Sequence, residues 1–173
     1  MRVRESPEID GRDVVVLNDP TATSLLVPFD RAYRGQPLPA SIRILVPGST
    51  RFEVTRTDAS SILLTTKGSD LFDCPAVRPL HVCHACKAMN DLLFGARTWK
   101  TGDQVARKGF MAEVREVSAK GAPRSIAFHF DRPLESEQFV WLFFDWRRFT
   151  HSPLVLPQIG ETVEIAGPRL RSH

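Results

Sequence analysis

The chain has 173 residues, 42% hydrophobic and 25% charged, the balance of a water-soluble globular protein long enough to bury a core. Its longest apolar run is the six residues Phe139–Phe144, which excludes a membrane-spanning helix, and its three cysteines are too few for a disulfide scaffold. The net charge of +3 comes from scattered arginines. It allows weak affinity for phosphate backbones or anionic lipid, but reads first as a solvated surface.

Residues 1–11 mix charge, Pro and Gly without periodicity and read as a flexible lead-in. They lack the apolar centre of a secretory signal, so the expectation is a cytoplasmic protein, or a membrane-associated one if the chain is a piece of a longer protein. Val14-Val15-Val16-Leu17 is a short apolar strand stopped by Asn18-Asp19-Pro20. Thr21 to Arg34 suits a helix, but Pro28 in its middle predicts a kink or two short turns. Three strands follow at close spacing, within 42–46, 52–56 and 62–66, separated by Pro47-Gly48 and Asp58-Ala59-Ser60. Short connections of this kind predict an antiparallel β-meander.

From Val82 the period changes. Val82, Ala85, Cys86, Met89, Leu92 and Leu93 recur at three and four residues, one apolar face of a helix near 82–94 ending at Gly95. Strand patterning resumes at Gln104-Val105-Ala106. Phe110, Ala112 and Val114 alternate with Met111, Glu113 and Arg115, Ile126, Phe128 and Phe130 alternate with Ala127 and His129, and the turn residues Ser118 to Pro123 make the two runs a hairpin. Phe139 to Phe144 is apolar on both faces and suits a doubly buried strand, with Trp141 at the centre of the core. Thr162 to Ile165 is the last strand.

The fold class implied is mainly β (α+β): antiparallel meanders in a sandwich or barrel-like core with one amphipathic helix. Lys100-Thr101-Gly102 is the best place for a sub-domain boundary. It would divide a β-meander plus helix at 12–100 from an aromatic hairpin core at 101–168. Read together, these make one compact domain over 12–168.

Four segments carry a resemblance: Tyr33-Arg34-Gly35-Gln36-Pro37-Leu38-Pro39, Val54-Thr55-Arg56-Thr57-Asp58, Phe130-Asp131-Arg132-Pro133-Leu134 and Pro157-Gln158-Ile159-Gly160-Glu161-Thr162-Val163. Together they resemble an uncharacterised bacterial family of the planctomycete type, in which such segments form a soluble tail after several membrane-spanning helices. The resemblance rests on turns and strand ends. It implies that the natural chain extends beyond Met1, and it implies no chemistry.

Reactive side chains cluster at Cys74, His81, Cys83, His84 and Cys86. Cys-x-x-Cys spacing lets two thiolates share a metal or form a reducible disulfide, and Cys74 with His81 or His84 would complete a four-ligand zinc site. A structural zinc site usually brings a second pair, and an isolated pair of cysteines is more often packing. A thioredoxin-like redox loop would need parallel βαβ flanks rather than meanders. Covalent haem attachment would need His where Lys87 stands. A second group, Trp141, Phe143, Phe144, Trp146, Arg147, Arg148, Phe149 and His151, has the residue types that stack single-stranded bases and hold phosphates; six apolar residues in a row more often fill a core. Asp70, Asp73, Asp131 and Asp145 read as turn residues.

No phosphate loop, nucleophile elbow or His-Glu-x-x-His helix occurs, and nothing positive supports an enzyme. The sequence therefore points to a non-catalytic soluble interaction or structural domain of a larger bacterial protein. Its partner would be another protein or a membrane-embedded remainder of the natural chain, with no cofactor. The alternatives are a thiol-redox or zinc protein and a weak single-stranded nucleic-acid binder.

Overall fold

The computed structural model describes residues 9–19, 23–46, 50–73 and 98–168. It is mainly β, with ten strands in two sheets and one short α-helix among the described residues. Neither sheet closes into a barrel.

The larger sheet is antiparallel throughout. Its order is β10 (Thr162–Ile165), β3 (Phe52–Arg56), β4 (Ser61–Thr65), β7 (Pro123–Phe130), β6 (Phe110–Val117) and β5 (Gln104–Arg107). Strands from both sides of residues 100–102 pair within it, β4 against β7. The hairpins fall where turn residues mark them. Between β3 and β4 the Asp58 carboxylate accepts the Ser60 N–H at 2.7 Å, a local bond that competes with further strand. Between β6 and β7, Gly121 adopts φ +73° against Thr98, where a Cβ would lie 2.2 Å from Thr98 Cγ2. Only glycine fits there without a shift of the neighbour.

The smaller sheet departs from the expected pattern. Its order is β2 (Ser41–Val46), β1 (Asp13–Asn18), β8 (Phe139–Asp145) and β9 (Thr150–Pro153). β1 runs parallel to both β2 and β8, and β8–β9 is its one antiparallel pairing. The run at 42–46 therefore leaves the meander and joins β1, while β3 opens the other sheet. The cause lies in the connection. A parallel pair needs a crossover of a dozen or more residues, and the stretch between β1 and β2 supplies one with helical content.

That crossover resolves the effect of Pro28. Thr23–Leu26 forms a 3-10 turn and Val27–Tyr33 forms α1, with Pro28 in the first turn of α1, where its missing N–H costs nothing. The interrupted helix expected over 21–34 is thus two short pieces. The helix expected near 82–94 lies outside the described residues.

The sheets pack face to face. Val15, Leu17, Leu45, Phe139 and Trp141 of the smaller sheet meet Val54, Ile62, Leu64, Ile126, Phe128 and Phe130 of the larger in one core. Val14 and Val16 point the other way, with Ile42, Ile44, Val140 and Leu142 under Val27 of α1. All six positions of β1 are buried, as a parallel strand covered on both faces should be. Trp141 is buried as expected: its ring meets Phe130 edge to face at 5.2 Å, and its indole N–H donates to the Leu134 carbonyl at 2.9 Å.

Candidate functional site

Three places hold more than packing demands. The first is α1. Its inward positions are Ser24, Val27 and Arg31, spaced three and four residues apart. Ser24 donates N–H (2.8 Å) and O–H to the Asp19 carboxylate. Arg31, almost wholly buried, pairs with Asp10 and donates from Nε to the Pro37 carbonyl at 2.6 Å. The outward positions at the same spacing are Leu26, Phe29 and Tyr33, exposed to 62%, 74% and 92%. Two polar anchors and Val27 therefore face the protein, while Leu26, Phe29 and Tyr33 face solvent beside the exposed Asp30–Arg34 ion pair, more apolar surface than an ordinary surface helix exposes.

The second place is where β1 and β8 end side by side. The Asn18 side chain extends the pairing beyond the strands: its Oδ1 accepts the Phe144 N–H at 2.9 Å. Phe144 is surrounded by Trp146 (5.0 Å), Phe149 (5.3 Å) and His151 (5.4 Å), all edge to face. His151 Nε2 lies 3.8 Å from the buried Asp19 carboxylate, too far for a hydrogen bond. Burial pushes the His151 pKa below its ordinary value, and the Asp19 charge offsets part of that. Phe149 takes a left-handed conformation (φ 52°), which costs a residue with a Cβ about 1–2 kcal/mol. It leaves the ring 57% exposed beside Arg147 and Arg148.

The third place is a cleft of about 430 Å³ where β5, β6 and β7 lie beside the edge strand β2 of the smaller sheet. Leu45, Val114, Ile126 and Phe128 form its buried floor, and Gln104, Ala106 and Arg107 its exposed rim. Phe72 and Trp99, 6.1 Å apart edge to face, line it as well.

The residues singled out in the sequence fare differently. Cys74, His81, Cys83, His84 and Cys86 lie outside the described residues. Among the described residues no three His, Cys, Asp or Glu side chains gather as a metal site. The aromatic and basic group divides. Trp141 and Phe143 pack into the core between the sheets; Phe144, Trp146, Phe149 and His151 gather on the helix side of the smaller sheet. With Trp141 and Phe144 buried, the run does not form a platform for stacked bases. Asp131 is a turn residue paired with Arg132, and Asp145 ends β8 and accepts the Arg147 N–H of the following turn at 2.8 Å. Asp70 is instead buried, accepting from Ser118 Oγ at 3.1 Å with Arg124 Nε 3.5 Å away. Sequence reading missed the outward stripe of α1 and the place of Asn18 and Asp19. The three-and-four spacing of Leu26, Phe29 and Tyr33 was the available signal for the stripe.

No protein-family description, curated protein or solved structure matches this chain.

Proposed function

We propose that this chain is a non-catalytic interaction domain, and that the outward stripe of α1 docks on an anionic membrane surface. The observation that carries the reading is the exposure of Leu26, Phe29 and Tyr33 on one helix face. An apolar stripe facing solvent marks a docking surface. Interfacial segments combine such a face with aromatic residues and nearby cations. Here Tyr33 has a polar tip suited to the headgroup level. The turn carrying Phe149, Arg147 and Arg148 adjoins the start of the helical segment, since Asp19 holds Ser24 on one side and approaches His151 on the other. Arginines beside anionic headgroups add attraction that weakens with salt.

On this reading the domain serves as the tail of a larger, membrane-associated bacterial protein of the planctomycete type. The test is co-sedimentation with vesicles of phosphatidylglycerol or of phosphatidylcholine, with wild type and Phe29→Ser. Binding to the anionic vesicles alone, weakened by salt and by Phe29→Ser, is expected. No binding to either vesicle overturns the membrane reading. A concentration-dependent dimer abolished by Phe29→Ser would reassign the stripe to contact between copies of this chain.

A further inference from the structure

The cleft beside β5 and β6 has an electrostatic asymmetry that its apolar lining does not require. β5 is an edge strand, and its register with β6 sets Val105 opposite Ala112 and Arg107 opposite Phe110. In an antiparallel pair, opposed residues point to the same face. Phe110 and Ala112 pack against the shared core, so Arg107 also stands on the core-facing side, at the end of the cleft. Its guanidinium donates only to the Ala106 carbonyl, at 3.1 Å, and has no carboxylate partner among the described residues.

A second guanidinium lies at the neighbouring turn. Arg43 extends from β2 to the turn between β5 and β6, where a Cβ on Gly109 would lie 2.9 Å from Arg43 Nη2. Gly109 is thus the residue that lets this side chain in. Arg43 Nη1 is buried, makes no hydrogen bond, and sits 3.5 Å from Asp13 Oδ2; the other oxygen of Asp13 accepts from Ser41 Oγ. Arg43 is thus paired with Asp13 behind the turn, and Arg107 is the one cation among the described residues that line the apolar trough.

We propose that this cleft binds a single-chain amphiphile with an anionic head, its hydrocarbon lying along Leu45, Phe110, Ala112 and Phe128 and its head meeting Arg107. The volume lies within the range of small-molecule sites, and such sites combine an apolar lining with a few convergent polar groups. A guanidinium presents a fork of donors matched to a carboxylate, and the low-dielectric wall beside it strengthens the contact. The simpler account of Arg107 is an inward charge that prevents the edge strand from pairing with another chain. That account needs a charge but neither a sign nor an apolar trough.

The proposal is independent of the docking face on α1, and the experiment separates the two. Dodecanoate, dodecanol and acetate are titrated by calorimetry into wild type, Arg107→Gln, Arg107→Glu and Ala112→Leu, with melting temperature checked for each. Dodecanoate should bind, dodecanol more weakly, and acetate not measurably. Arg107→Gln should weaken dodecanoate about tenfold, the loss of a charge-assisted hydrogen bond, and leave dodecanol unchanged. Arg107→Glu keeps an inward charge and should abolish dodecanoate binding, while Ala112→Leu should weaken both long-chain ligands by filling the trough. Phe29→Ser should leave all of this unaltered. Failure of wild type to bind dodecanoate overturns the proposal, as does an Arg107→Glu variant that binds it like wild type.

Discussion

The two sheets handle apolar surface in opposite ways. In the smaller one, β1 is covered on one face by the larger sheet and on the other by α1, and all six of its positions are buried. In the larger one, apolar residues of β5, β6 and β7 line a cleft beside β2 of the smaller sheet. The 3-10 turn and α1 repeat the contrast within one helical segment, with Ser24 and Arg31 anchored inside and Leu26, Phe29 and Tyr33 outside. Where apolar groups are covered from both sides they stabilise the fold. Where they are left open, the stability of the isolated domain does not account for them, and the two proposed binding sites would.

That division predicts where substitutions cost stability. The largest effect should come from Trp141→Ala, which empties a site between the sheets and removes the donor to the Leu134 carbonyl. A loss of about 3–5 kcal/mol is expected from chemical denaturation; an unchanged midpoint would show that the shared core is centred elsewhere. Next is Asn18→Ala. It leaves the buried Phe144 N–H without its acceptor and should cost about 1–3 kcal/mol, read in the same way. A negligible change would mean that the junction of β1 and β8 is loosely held.

A smaller effect is set by pH. The pKa of His151 in the folded chain lies below the ordinary value of 6.5 because burial disfavours its charge. Below 6.5 the unfolded chain binds the proton more readily than the folded one. The contribution of His151 to stability is therefore complete above about 6.5 and is lost as pH falls toward its folded value, by at most about 1.4 kcal/mol per pH unit. Between pH 7.5 and 5 wild type should lose more stability than His151→Phe, which has no group to titrate there; parallel curves would remove His151 from the account. The smallest effect belongs to Phe29→Ser. With its ring in solvent, stability should change by less than about 0.5 kcal/mol. A larger loss would mean that the stripe supports the fold and would remove the contrast drawn within α1.

How much of this was legible follows from what periodicity encodes. Alternation marks which residues of a strand are buried, so β3, β4, β6, β7 and β10 and the hairpin turns could be read directly. It does not name the partner strand. The unbroken run Val14-Val15-Val16-Leu17 announced burial on both faces, a mark of parallel strands, but its neighbours β2 and β8 come from opposite parts of the chain. β9, Thr150–Pro153, carries no alternating apolar pattern, because it needs only to close the edge beside β8. The sites were less legible still. Arg107 and Val105 acquire a meaning only through their register with Phe110 and Ala112, and His151 meets Asp19 only because β1 and β8 end side by side. Pro28 was clearer, since the chemistry of proline is local.

The position of β1 also dictates an order of events. Asn18 and Phe144, which meet at the ends of β1 and β8, are 126 residues apart in sequence. At a synthesis rate of 5–20 residues per second, β1 waits on the order of ten seconds for that neighbour. The β3–β4 and β6–β7 hairpins close within microseconds once made. During the wait, Val14-Val15-Val16-Leu17 is an apolar, β-branched segment with an open edge, the kind that seeds aggregation. Slow emergence of β8, rather than any weakness of the finished sandwich, would then govern how much of the newly made chain reaches the native state.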